Sequence, residues 1–234
     1  MKTLNALLLI IIIAGFTGCK KDVKTITPTN TVTDMDGNVY HTDTIGTQIW
    51  MTENLKVTKY RNGDPISNVT DNTAWSKLTT GAYCDYNNDA NNSTTYGKLY
   101  NWNAVSDSRN IAPVGWHVAS NKDWTTLITF LDGELFAGAR LKEKGTSHWL
   151  YPNNVSSCAD NVPMCDNPFL ALPGGSRVNN GSFDKVGDTG FWWSSVEVST
   201  NTPRSCFLVH DSSFISYAYD VTKNNGFSVR CVRD

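Results

Sequence analysis

Charge of one sign, long apolar runs and histidine are all scarce in this 234-residue chain, and each scarcity removes a class of function. Lys and Arg number 20 against 22 Asp and Glu, and the basic residues nowhere gather into a block. A nucleic-acid surface needs such a block to displace counterions from phosphates, so nucleic acid is not an expected partner. The longest apolar run, Ala6 to Ala14, is nine residues. That is about half of the roughly 20 residues that carry a helix across a bilayer. The four histidines, His41, His117, His148 and His210, are scattered. No His-x-x-x-His or Cys-x-x-Cys spacing is present to set out zinc ligands. His117, between Trp116 and Val118, reads as part of a core-bound strand. The Gly-x-Ser-x-Gly elbow of serine hydrolases is missing, and Gly174-Gly175-Ser176 reads as a turn. A phosphate-cradling loop ending in Lys-Ser or Lys-Thr is missing too. A carboxylate pair for glycoside hydrolysis needs only proximity in space, and Glu53, Glu134, Glu143 and Glu197 are candidates of no special standing. No catalytic residue and no cofactor is therefore expected.

What is present begins with an address. Lys2, the apolar run to Ala14 and the small stretch Gly15 to Cys19 form the charged, hydrophobic and cleavage regions of an export signal. Phe16-Thr17-Gly18-Cys19 resembles the lipobox of bacterial lipoproteins, which implies cleavage before Cys19 and acylation of its thiol and amine. Acyl chains contribute about 0.8 kcal/mol per buried methylene, and two or three of them hold a protein on a membrane. The expected location is the cell envelope, at the outer membrane, facing the periplasm or the surface. Residues 1–18 are then a lipoprotein signal peptide, 19–31 a flexible, Thr-rich tether, and 32–234 one folded domain. Removing 18 of 234 residues leaves 216, enough for a core that needs no cross-link.

Five cysteines remain beside the lipidation site Cys19. An exported chain permits disulfides, and an odd number leaves at least one thiol over. Cys158 and Cys165 flank a short stretch containing Pro163 and suit a loop staple. Cys206 and Cys231 lie in strand-like runs and are candidates to bridge neighbouring strands. Cys84 is the natural odd one, read as a buried thiol because nothing cationic adjoins it in sequence. Asp85, Asn87 and Asp89 set oxygen ligands at alternate positions and make a calcium candidate. Ala90 and Tyr96 stand where an EF-hand needs Gly and Glu, so the loop is no EF-hand.

Periodicity marks the elements. Asp36-Gly37 between alternating runs signals a hairpin turn, with strands through Val39 to Thr42 and Gln48 to Met51. Leu99, Trp102 and Val105 predict a helix over 97–105. Trp124, Leu127, Ile128 and Leu131 fall at i, i+3, i+4 and i+7 and predict an amphipathic helix, with Ser120 and Asp123 as a capping box and Asp132-Gly133 as the stop. Short strands return at Phe191 to Trp193, Cys206 to Val209 and Phe227 to Cys231. Strands, then helices, then strands describe an α+β domain of short antiparallel strands with one or two main helices. Trp75, Trp149, Trp192 and Trp193, with Asn179 and Asn180, are the candidate ligand-binding residues, since an exposed indole stacks on a sugar ring and amides bond its hydroxyls. Trp192 and Trp193 point to opposite faces of one strand, so one of them need not be core.

Six blocks in order carry a family resemblance: Trp50-Met51-Thr52-Glu53-Asn54-Leu55, Tyr96-Gly97-Lys98-Leu99-Tyr100-Asn101-Trp102, Gly115-Trp116-His117-Val118 with Asp123-Trp124, Leu172-Pro173-Gly174-Gly175, Trp192-Trp193-Ser194-Ser195 and Ser228-Val229-Arg230-Cys231-Val232. Together they resemble the Fibrobacter succinogenes major paralogous domain of Bacteroidetes and Fibrobacter surface proteins. The resemblance covers about Asp34 to Asp234 and implies a distant relation to the C-type-lectin-like fold, which formylglycine-generating enzymes share. Those enzymes use a close pair of active cysteines that could bind copper. Here Cys206 and Cys231 are 25 positions apart and Cys158 and Cys165 lie in a Pro-bearing loop, so an enzyme of that type is the disfavoured alternative. The expected function is binding, with a glycan or a surface protein as partner, or surface structure.

Overall fold

The computed structural model describes residues 30–154, 168–197, 202–218 and 221–234. The signal, Cys19, and the cysteines Cys158 and Cys165 lie outside the described residues. The chain enters through β1 (Thr31–Thr33), β2 (Val39–Ile45) and β3 (Gln48–Met51). The β1–β2 turn is organised by the buried Asp34 carboxylate. One oxygen accepts from the amides of Asp36 and Asn38, and the other from Asn38 Nδ2 and, at 2.5 Å, from Tyr40 OH. Gly37 supplies the left-handed residue at φ 84° that closes the turn.

A second group follows: β4 (Ser67–Asn68), α1 (Asn72–Ser76), β5 (Ala82–Cys84), α2 (Ala90–Tyr96), β6 (Leu99–Tyr100) and α3 (Trp102–Val105). The helix expected over 97–105 is thus a two-residue strand and a single turn. Gly97 at φ 74° ends α2, Leu99 and Tyr100 pair with β5, and Asn101 starts α3 by accepting from the Ala104 amide. The 3.6-residue period of three apolar positions was therefore met by burial in two different elements. Next come β7 (Trp116–Val118), α4 (Asn121–Phe130) and α5 (Glu134–Leu141). In α4 the Ser120 capping box forms, and Trp124, Leu127 and Ile128 face the core. The chain closes with β8 (Gly174–Arg177), β9 (Phe183–Val186), β10 (Thr189–Trp193), β11 (Ser205–Val209), β12 (Ile215–Ala218) and β13 (Cys231–Arg233).

Three sheets result, in the orders β1-β2-β3-β13-β7, β12-β11-β10-β8-β9 and β4-β5-β6. Most pairs are antiparallel, while β4–β5 and β8–β10 are parallel. The class is α+β. β13, last in the chain, is paired on one side with β3 and on the other with β7, so the first and last folded segments share one sheet. One core cluster contains Tyr40, Tyr100, Trp116, Trp193, Phe227 and Cys231, and another Trp50, Trp124, Leu127, Phe169, Trp192 and Cys206. β10 runs between them and buries Trp193 in the first and Trp192 in the second.

Candidate functional site

That placement of β10 overturns the indole platform expected from sequence. Trp149, Trp192 and Trp193 are at most 1% exposed, and all eight tryptophans of the chain are buried. Alternation does send Trp192 and Trp193 to opposite faces, but both faces of this interior strand are core. Trp192 meets Trp124 with ring centres 6.4 Å apart, and Trp193 meets Phe227 at 4.5 Å. Their indole N–H groups are spent internally as well. Trp149 donates to Ala171 O, Trp192 to Asn54 Oδ1, Trp193 to Tyr100 O and Trp75 to Asn224 O. Asn179 and Asn180 are exposed between β8 and β9, where Asn180 Oδ1 accepts from the amide and hydroxyl of Ser182. They have no exposed indole to work beside.

The Cys206–Cys231 bridge is likewise corrected. Both thiols are free and buried, as is Cys84. Cys206 stands on β11 in the Trp192 cluster and Cys231 on β13 in the Trp193 cluster, so strands of two different sheets carry them into different cores. Burial pushes the Cys84 thiol up to about 12 and those of Cys206 and Cys231 well above the ordinary range. Burial thus holds these thiols in the protonated form, which is the weak nucleophile. In the calcium candidate both carboxylates have protein partners. Asp85 pairs with Lys98 Nζ at 2.7 Å and accepts from Ser93 Oγ, while Asp89 caps α2 through the Asn91 amide. Asn87 sits between them in a left-handed conformation at φ 55°. Among the described residues no three His, Cys, Asp or Glu side chains converge as metal ligands.

Four cations that sequence reasoning passed over organise the irregular segments instead. Arg230 is 1% exposed and donates to Met51 O and Phe169 O at 2.8 Å, to Leu170 O at 3.2 Å and to Asn54 Oδ1 at 2.7 Å. Arg177, wholly buried between the rings of Trp75 and Phe183, donates to Val69 O, Thr70 O, Gly181 O and Asn72 Oδ1. Lys142 reaches the carbonyls of Val209, His210 and Ser212 at 2.8 to 3.0 Å, and burial pushes its ammonium down to about 8. Arg61 ties Ala112, Pro113 and Trp116 through their carbonyls. None of the four has a carboxylate within ion-pair distance among the described residues. Carbonyls of loops and of strand ends take that place. A signal existed in the sequence, since Arg230 interrupts an apolar strand-like run.

Among the described residues, the recesses open to solvent include two lined by carboxylates. Beside one, which Gln48, Asp123 and Asp234 line, His117 on β7 bridges Asp234 Oδ1 at 2.8 Å and Asp123 Oδ2 at 3.0 Å. Burial opposes its charge, but hydrogen bonds donated to both carboxylates outweigh this and raise its pKa. Ser120 Oγ donates to Asp123, 2.5 Å away, rather than to the imidazole, so the Ser120 hydroxyl is not poised for activation by His117. The group joins β7, the start of α4 and the end of β13.

The other recess is a groove of about 380 Å³ lined by Asp36, Asn38, Lys56, Thr58, Ala90, Ser93, Thr94 and Lys98. Three segments build it. The Asp34-centred turn presents Asp36 and Asn38. The stretch after β3 presents Lys56 and Thr58, held to the turn by Lys56 N–H donating to Tyr40 OH and by the Thr58 amide and hydroxyl donating to Asp36 Oδ2. α2 and the residues after it present Thr94 and Lys98, with Lys98 N–H donating to Leu55 O. Burial pushes the Asp36 carboxyl up, but the Thr58 and Lys59 contacts outweigh it and hold it below the usual carboxylate range. The wall is thus a fixed set of amide, hydroxyl and ammonium groups. Asp36-Gly37 was legible only as a turn, and Lys98 only as part of a family-like block.

An α+β domain with loops held by carbonyl-bound cations, and with a polar groove rather than an aromatic platform, is the class these features define. The model of one family, described as the Fibrobacter succinogenes major domain, matches residues 44–233, and the chain belongs to that family. No curated protein and no solved structure matches the chain.

Proposed function

We propose that this is a lipid-anchored envelope protein that binds a polar ligand, a carbohydrate, in the groove between the Asp34 turn and α2, on a scaffold of the C-type-lectin-like kind. Acylation at Cys19 anchors it at the outer membrane, and it acts without catalysis, cofactor or calcium. The observation that carries the reading is the groove itself. It offers Asn38, Thr58, Thr94 and Lys56 on one concave surface, and amide, hydroxyl and ammonium groups are the donors and acceptors that sugar hydroxyls match. The separation of Cys206 from Cys231 weighs against the formylglycine-generating type of chemistry. A glycan array probed with the mature protein tests the reading. Selective signals are expected that fall in Asn38→Ala and Thr94→Ala variants and persist in Asn179→Ala. Folded protein that binds no glycan, or signals untouched by either groove variant, would remove it.

A further inference from the structure

The charges around the groove cancel one another, save for one. Lys98 is neutralised by Asp85 at 2.7 Å. Asp36 is engaged by Lys59 at 3.2 Å and by both donors of Thr58. Lys56 has only the face of Tyr40, its Nζ 5.7 Å from the ring centre, and no carboxylate within ion-pair distance among the described residues. Its main chain is pinned by Tyr40 OH, so the side chain rises from a fixed point on the wall. Beside it, Thr94 is exposed. The amide nitrogen of Asn38 is spent on Asp34, which leaves its carbonyl oxygen for a ligand hydroxyl.

A neutral sugar in this groove offers the Lys56 ammonium hydroxyl oxygens but no counter-charge. A hydrogen bond between two ions is roughly twice as strong as one between neutral groups. A sugar bearing a carboxylate meets that ammonium with a charge-assisted hydrogen bond and keeps its hydroxyls for Asn38 and Thr94. We propose that the groove selects acidic saccharides of the uronic-acid class, with the ligand carboxylate on Lys56 Nζ and ring hydroxyls on Asn38 Oδ1 and Thr94 Oγ1. The proposal rests on the reading of the groove as a carbohydrate site and names the chemical class that site takes.

Calorimetric titration of the mature protein with trigalacturonate and with its carboxyl-reduced counterpart, galactotriose, tests it. The acid is expected to bind about tenfold or more tightly than the neutral sugar, as one charge-assisted bond provides. The preference should shrink as salt is raised, because the site is open to solvent. Lys56→Gln should abolish the preference, and Lys56→Arg should retain most of it. Equal binding of both sugars, lost in Asn38→Ala, would overturn the acid preference while leaving the groove a carbohydrate site. Preference for the acid that survives Lys56→Gln would also overturn it. Failure of folded protein to bind either sugar overturns the proposal, and a positive glycan array would then show that the broader reading stands without it.

Discussion

Arg230 shows how a single residue can be both costly and indispensable. Its guanidinium is buried with no carboxylate within ion-pair distance among the described residues, and burial pushes its pKa down to about 9. Four hydrogen bonds offset that cost, three of them to carbonyls in two segments far apart in the chain, Met51 and the pair Phe169 and Leu170. Replacing it by Met keeps much of the volume against the Phe169 ring but leaves those acceptors unsatisfied. Arg230→Met is expected to lower stability by about 3 to 5 kcal/mol, because several buried acceptors lose their donor at about 1 to 3 kcal/mol each while the cost of burying the guanidinium is recovered. Urea unfolding followed by tryptophan fluorescence measures this. A loss below about 1 kcal/mol would mean that water replaces the guanidinium and that the loops are held by other contacts.

Elements are joined by side chains whose charge depends on pH, and the clearest joint ties β7 to α4 and to the end of β13. Asp123 both completes the α4 capping box and accepts from His117, while Asp234 takes the other ring nitrogen. For His117 the two carboxylates outweigh burial and raise the folded pKa above 6.5. Its stabilisation is therefore complete below 6.5 and lost as pH rises through the raised folded value. For Asp123 burial pushes the pKa up, but the Ser120 and His117 contacts outweigh it and hold it below 3.8. Its stabilisation is present above 3.8 and lost as pH falls through the lowered folded value. The joint is thus strongest between about pH 4 and 6.5, where both charges are set. Thermal unfolding from pH 5 to pH 8.5 should show a decline that His117→Gln flattens, with little difference between the two proteins at the alkaline end. A parallel decline in both would assign the pH dependence to other groups.

For the molecule as a whole, the arrangement is set by contacts distant in sequence. β13 sits between β3 and β7, and Arg177 gathers carbonyls from the β4–α1 segment more than 100 positions earlier. Such a topology forms its sheet only once both ends of the domain are made. Attachment to the envelope belongs to this scale too. Among the described residues no helix is long and apolar enough to cross a membrane. If Cys19 carries the lipid, Cys19→Ser expressed in the native host is expected to lose incorporation of labelled fatty acid and to pass from the membrane pellet to the soluble fraction. Retention of label in that variant would place the anchor elsewhere.

Local patterns sufficed where the physics is local. The Asp36-Gly37 turn, the β2 and β3 strands, the α4 helix with its Ser120 cap and the α+β class all follow from side-chain period, turn conformation and capping within a few residues, and the six ordered blocks were enough to point to the family. Burial of Trp192 and Trp193 on both faces of β10, separation of Cys206 from Cys231, the breaking of the 97–105 period into β6 and α3, and the assembly of the groove from the Asp34 turn, Lys56 and α2 depend on which elements meet in space. Alternation along a strand says that two neighbours face opposite ways but not whether each face finds core or water. Only tertiary packing decides that, because burial is a property of what covers a residue and not of the residue itself.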